Sequence, residues 1–270
     1  MPRRLFLKRR EARLLHQRME EKIWQLILEY CHDHNQRIVW RRPLVRFADA
    51  RNPGFELLKG IVVPEHHIPE DFLPGVKNVL SWFLPFLPEV GRNNLEGSLC
   101  SAQWADAYLV TNEMAAWVNE QLVDYIQKEI GAPAAAVRDA GMIGMDNPKS
   151  RWSQRHVAYL AGHGTFGRNN MLISDAGCVG RYFSIVTAME VQPDHPIFGE
   201  RCLWKRDGSC GLCAARCVAD ALTEEGFDRF RCLSQCLENM SRYPGADVCG
   251  KCTVELPCSY EIPKMKEILR

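Results

Sequence analysis

Nine of the twelve cysteines lie between Cys202 and Cys258, in two groups. The first is Cys202, Cys210, Cys213 and Cys217; the second is Cys232, Cys236, Cys249, Cys252 and Cys258. Thiolates two or three residues apart on tight loops can converge on one metal centre, as iron–sulfur ligation requires. Two four-iron clusters need eight ligands, and nine are present. The spacing therefore points to electron transfer. Structural zinc fits Cys210-x2-Cys213 and Cys249-x2-Cys252 singly, but zinc sites usually present two such pairs a dozen or more residues apart. Disulfides suit small secreted domains, whereas this chain has 270 residues and no secretory signal peptide.

A second candidate is Gly162-His163-Gly164-Thr165-Phe166-Gly167, which matches the G-x-G-x-x-G dinucleotide pattern. That mechanism needs a strand before the loop and a helix after it, so that the helix N-terminus meets the pyrophosphate. Here a helix from Ser153 to Leu160 is expected before the loop, and the apolar Met171-Leu172-Ile173 follows it. Arg181 and Tyr182 lie where the ribose-binding acid would be, so a nicotinamide site is not expected. Two readings of the glycines stay open: a tight helix-to-strand turn, or a loop laid against a large flat cofactor with Asn169 donating to it.

The elements that must position these groups are partly legible. An amphipathic helix over about 10–32 shows Ile23, Leu26, Ile27 and Tyr30 on one face. Ile61–Val63 and Val79–Phe83 read as short buried strands, with the histidines of Pro64-Glu65-His66-His67-Ile68-Pro69 on a solvent-facing loop between them. Ser101 is placed to cap a long helix from Ala102 to about Ile130, ended by Gly131 and Pro133. Residues 141–148 read as loop and Tyr182–Ala188 as a strand. Composition shifts near residue 195 towards cysteine, arginine and glycine.

Net charge is +1, so the whole molecule carries no nucleic-acid footprint, and no apolar run reaches the roughly 18 residues of a membrane span. Arg3-Arg4-Leu5-Phe6-Leu7-Lys8 looks like the core of a twin-arginine signal, but Arg9-Arg10-Glu11 follows instead of an apolar stretch. The seven Lys and Arg of the first eighteen residues read as a solvated helix face. A reducing cytoplasm is the expected setting.

Together these segments resemble the epoxyqueuosine reductase family, relatives of the corrinoid-dependent reductive dehalogenases. The resemblance is carried by Ala161-Gly162-His163-Gly164-Thr165-Phe166-Gly167-Arg168-Asn169 with Met171-Leu172-Ile173, by Pro74-Gly75-Val76-Lys77-Asn78-Val79-Leu80, and by the double cysteine group. It spans roughly residues 55–262. It implies an α+β chain with residues 1–54 as a basic helical extension. An α/β, nitroreductase-like domain over 55–195 would hold cobalamin against Gly162, His163, Gly164, Thr165, Phe166, Gly167, Arg168 and Asn169. A bacterial-ferredoxin-like module over 196–270 would hold two [4Fe–4S] clusters. One cluster would take Cys202, Cys210, Cys213 and Cys258, and the other Cys217, Cys232, Cys249 and Cys252, leaving Cys236, Cys31, Cys100 and Cys178 spare. Electrons would pass from a donor such as a ferredoxin or flavodoxin, through the clusters, to cobalt and an unknown substrate.

Four departures qualify this. Asp207 stands where the family's first run begins, so Cys202 or Asp207 itself must complete that cluster. Val218 replaces the following proline, and Cys258 comes late. The family's proton-donating aspartate falls on Pro148, making Asp146 the nearest candidate general acid, with His163 another. The C-terminal helical-repeat extension that grips tRNA is not in the sequence, so tRNA is not the expected substrate. A rival reading makes the chain a dicluster electron carrier, or an activase that reduces a partner's corrinoid.

Overall fold

Asn78–Pro85 is buried along its whole length and forms the centre of the protein. Alternate side chains of this strand, β2, serve opposite faces. Leu80, Trp82 and Leu84 enter one apolar cluster, while Val79 and Phe83 enter two others behind the sheet. The structure is a computed structural model that describes residues 2–138 and 140–264, with side chains described from residue 14 onward.

Three strands complete the sheet, all antiparallel: β1 (Leu44–Asp49), β3 (Ala134–Ala136) and β6 (Gly180–Thr187), in the order β1-β2-β6-β3. On one face lie α1 (Pro2–Asp33), with Met19, Ile23, Ile27 and Tyr30 buried at helical spacing, and α4 (Ala102–Tyr125). Ser101 caps α4 by accepting from the Trp104 amide at 3.1 Å. The helix runs on through a π-type turn, Ile126–Ile130, to Gly131 in the left-handed region. On the other face pack α2 (Gly54–Ile61) and α5 (Gln154–Leu160), whose Phe55, Leu58, Val157 and Leu160 share a cluster with Trp152 and Val186.

The Ile61–Val63 strand expected from its apolar run is not formed. Gly54–Ile61 is helical because Phe55 and Leu58, three residues apart, give it an apolar face; Ile61 closes the helix and is 62% exposed. The segment 1–54 is also no appendage. β1 pairs with β2 from Leu44↔Phe83 to Asp49↔Asn78, and α1 lies on that sheet.

The rest of the fold frames the cysteines. Thr165–Phe166 (β4) and Leu172–Ile173 (β5) make a small hairpin between α5 and β6. After an irregular stretch over 188–201 come α6 (Leu203–Asp207), α7 (Leu212–Ala215) and α8 (Arg229–Arg242). Asp228 caps α8 by accepting from the amides of Phe230 and Arg231 at 3.0 Å each. The chain then returns to the sheet, where the amides of Cys178 and Val179 donate to the Ser259 carbonyl at 3.1 and 3.0 Å. Among the described residues no helix is long and apolar enough to cross a membrane.

Candidate metal centre

The thiols sort themselves by mutual influence. Burial first, then negative charge at Cys258, Cys202 and Cys210, pushes the Cys213 thiol up to about 12. Burial first, then charge at Cys249, Cys232, Cys217 and Cys213, holds the Cys252 thiol well above its ordinary value. Cys249 is pushed up to about 11, again by burial first, with Cys232 and Cys217 contributing. The expected assignment makes a first foursome of Cys202, Cys210, Cys213 and Cys258 and a second of Cys217, Cys232, Cys249 and Cys252, and Cys213 acts on Cys252 across the two.

The first foursome lines a small pocket, together with Arg168 and Trp204. Cys202 is buried and belongs to it, whereas Asp207 turns away. The Asp207 carboxylate accepts from the Ser209 amide and from Arg206 Nε, both at 3.0 Å. Cys202 thus lines the pocket and Asp207 does not. Cys213, Leu222 and Leu256 form a small apolar cluster, with Cys217, Cys252 and Cys258 packed against it. Among the described residues no three Cys, His, Asp or Glu side chains close on a point that one ion could fill. Lone zinc wants four sulfurs about 2.3 Å from one centre.

Two cysteines stand beside them. Cys236 is one helical turn from Cys232 on α8 and donates to it, which holds the Cys232 thiol below its ordinary value and Cys236 above. Cys178, fully buried, makes the same contact with Cys258.

The glycine loop joins this region to the sheet. A Cβ on Gly162 would collide with the His195 carbonyl and one on Gly164 with the Ile173 carbonyl, so both glycines are required by the protein's own backbone. The packing supports the turn reading. Thr165 Oγ1 accepts from the Arg201 amide at 3.0 Å, and Arg201 Nη1 donates to the carbonyls of His163 and Ile173 at 3.1 and 2.9 Å. The residue before Cys202 is therefore tied to the loop. Phe166 packs beside the His156 ring, at 4.8 Å. Gly167, Arg168 and Asn169 form the tip and line the first cavity. The Arg168 guanidinium stacks on Trp204 at 4.4 Å and donates to the Thr223 carbonyl. Asn169 Nδ2 donates to the Cys252 carbonyl at 2.9 Å and reaches Cys178 Sγ at 3.9 Å.

The other two named candidates lie elsewhere. His163 is buried, and its Nε2 donates to the Ser81 carbonyl at 3.1 Å; burial first, then the Arg46 charge, lowers its pKa to about 3. It is a neutral brace under the sheet. Asp146 is exposed on its loop, with its carboxylate folded back over Gly144. The His66–His67 pair also departs from the solvent-facing expectation. His66 is buried, donating from Nδ1 to the His67 carbonyl and accepting at Nε2 from the Ser153 amide.

Several groups around the second foursome carry no sequence signal of their own. Lys251, inside Cys249-x2-Cys252, is 3% exposed and donates to the carbonyls of Asn94 and Glu96 at 3.0 and 2.6 Å. Asn94 Nδ2 in turn donates to the Cys249 carbonyl at 2.8 Å. A lysine between two such cysteines was open to notice. The arginines were not. Arg155 on α5 donates to the Asn170 carbonyl at 2.6 Å, and its pKa falls to about 10, through burial first and then the Arg229 charge. Arg229 is itself lowered by burial and drawn the other way by Cys232. Arg181 stacks on the Tyr108 ring at 4.4 Å, and its Nε has no hydrogen-bond partner. Tyr108 donates to Asp247. β3 pairs with Ile185–Thr187, so among the described residues no strand lies on that side of Gly180–Ser184, the stretch of β6 that carries Arg181. A free strand edge presents unpaired N–H and C=O groups.

No protein-family model matches the chain, and no curated protein matches it in sequence. Solved structures do share its fold. A crystal structure of epoxyqueuosine reductase superposes with a TM-score of 0.51 at 19% identity, over 88% of this chain and 66% of the other. An epoxyqueuosine reductase from Streptococcus thermophilus gives 0.51 at 15% identity, over 86% and 65%. A reductive dehalogenase whose structure suggests a mechanism for B12-dependent dehalogenation gives 0.50 at 15%, over 82% and 30%. The chain therefore has an epoxyqueuosine reductase-like fold, and it spans about two thirds of the length of those reductases.

Proposed function

We propose that this chain is an iron–sulfur, corrinoid-dependent reductase. The observation that carries the reading is that Cys202, Cys210, Cys213 and Cys258 line one pocket, while Cys213, Cys217, Cys252 and Cys258 meet at Leu222 and Leu256. Two [4Fe–4S] clusters fit them, in a bacterial-ferredoxin-like arrangement where Cys258 and Cys217 cross over between runs. The all-thiol donor set suits iron–sulfur chemistry, and buried Lys251 offsets charge at the second cluster.

The glycine loop, closed on its own backbone, is not the place that fits a corrinoid. The free Gly180–Ser184 edge fits better. It offers a stretch with no neighbouring strand among the described residues, a Tyr108 platform, and an orphaned Arg181 Nε. A bound corrinoid would supply strongly reducing cobalt for attack on the substrate. The chain's own part is to hold the cofactor beside the second cluster and to set the charge around it with Arg155, Arg181 and Arg229. The Asn169 bracket keeps the cysteine segment against the sheet. A soluble electron carrier such as a ferredoxin or flavodoxin would deliver electrons at the first cluster. We propose a small-molecule substrate, not tRNA, in a reducing cytoplasm: a net charge of +1 gives no general attraction for a polyanion.

One observation favours a second reading, a dicluster carrier or corrinoid activase. Asp146 is exposed, and His163 is bound to Ser81, so neither sequence candidate for a proton donor stands at the thiols. Iron and sulfide analysis of anaerobically reconstituted protein, with Cys213→Ser and Cys249→Ser, tests the common core. About eight irons are expected in the wild type and about four in each variant. A wild type holding one zinc and no sulfide would end both readings.

A further inference from the structure

We propose that Cys178 is the hydrogen-bond donor that sets the reduction potential of the first cluster, its S–H directed at Cys258 Sγ by Asn169. The inference rests on the cluster assignment above.

Cys178 lies between β5 and β6 with no exposed surface. Its amide donates to the Cys258 carbonyl at 2.9 Å, and its side chain packs with Ile173, Cys202 and Cys258. Two of the first foursome's four sulfurs are thus its neighbours. Asn169 Nδ2 approaches Cys178 Sγ from the other side, at 3.9 Å. Asn169 cannot easily turn round. Its Oδ1 accepts from the Met171 amide at 3.2 Å, and Nδ2 also serves the Cys252 carbonyl at 2.9 Å. With a donor already on the Cys178 sulfur, the proton that this thiol can direct is its own, and Cys258, packed against it and already tied to the Cys178 amide, is the neighbour placed to take it.

The first foursome is complete without Cys178, since Cys202 takes the place opposite Cys210, Cys213 and Cys258. A fifth thiol therefore acts on the cluster from outside. Hydrogen bonds to ligand sulfurs are among the determinants of cluster potential. A donor stabilises the extra negative charge of the reduced state, so the contact raises the potential. The chain of contacts Cys258, Cys178, Asn169, Cys252 also spans both foursomes.

The test is an EPR-monitored redox titration of the reconstituted full chain, as wild type, Cys178→Ala and Cys178→Ser, with iron and sulfide counted in each. All three should hold about eight irons. In Cys178→Ala the reduced-to-oxidised ratio of one cluster at fixed potential should fall by about three- to tenfold, tenfold being 59 mV for one electron. Cys178→Ser keeps an O–H donor and should stay within about twofold of wild type. Loss of about four irons in Cys178→Ala would make Cys178 a ligand and overturn the proposal. Eight irons with both potentials unmoved would overturn it equally. A wild type that takes up no iron would instead remove the cluster assignment, and this inference with it.

Discussion

Asn169 Nδ2 donates to the Cys252 carbonyl at 2.9 Å, and that bond fastens the glycine loop to the second group of cysteines. The loop leaves α5, turns on Gly162 and Gly164 against the chain's own carbonyls, and ends on the thiol-bearing segment. It is a bracket between sheet and cysteines. Its tip touches both foursomes.

Replacing Asn169 by Leu should loosen that bracket. The Cys252 carbonyl and the Met171 amide lose their partner, at a cost of about 1–3 kcal/mol. Iron should then leave the variant several-fold faster when a chelator is added to anaerobic protein. Equal rates would mean that the cysteine segment holds itself.

Cys232 and Cys236 separate ligand from neighbour. Cys232→Ser should lose about half the iron, and Cys236→Ser should keep about eight atoms per chain. The reverse outcome would place Cys236 in the second cluster.

Lys251→Met preserves the stem and removes the charge. The carbonyls of Asn94 and Glu96 lose their donor, and stability should fall by about 2 kcal/mol or more, read from the denaturant midpoint. The second cluster should also become harder to reduce, because a buried cation next to Cys249 is gone.

The glycines differ in what they tolerate. Gly164→Ala drives a methyl group into the Ile173 carbonyl and should cost about 1–3 kcal/mol or more. Gly60 in α2 has open space around it, so Gly60→Ala should add about 0.5–1 kcal/mol. Opposite shifts in melting temperature are the expected result.

His163 makes stability depend on pH. Its folded pKa of about 3 lies below the ordinary value near 6.5, so between those values the unfolded chain binds the extra proton. Stability is full above about 6.5 and is lost as pH falls. From pH 7 to 5 the wild type should lose about 2 kcal/mol more than His163→Asn, which keeps a donor for Ser81 without titrating. Comparing the two proteins at each pH cancels any shared loss of iron.

Elements with strong period or clear caps were readable in the sequence. Ser101 and Gly131 bracket α4 and its π-type end, and β2, α5 and β6 fall within two residues or so of expectation. Ile61–Val63 misled because three apolar residues suit the end of a helix as well as a strand. β1 was missed because Arg46 interrupts its apolar run; only its pairing with β2 makes it a strand. Arg155, Arg181 and Arg229 come from α5, β6 and α8, and only folding brings them to one edge. Single arginines carry no spacing signal.

The most direct test is EPR of the anaerobically reconstituted chain, with and without cob(II)alamin. The expected result is loss of the axial-nitrogen splitting of cob(II)alamin on binding, beside reduced [4Fe–4S] signals, with the cobalt change weakened in Arg181→Ala. Cluster signals beside an unaltered free cob(II)alamin spectrum would contradict the corrinoid reductase and leave an electron carrier.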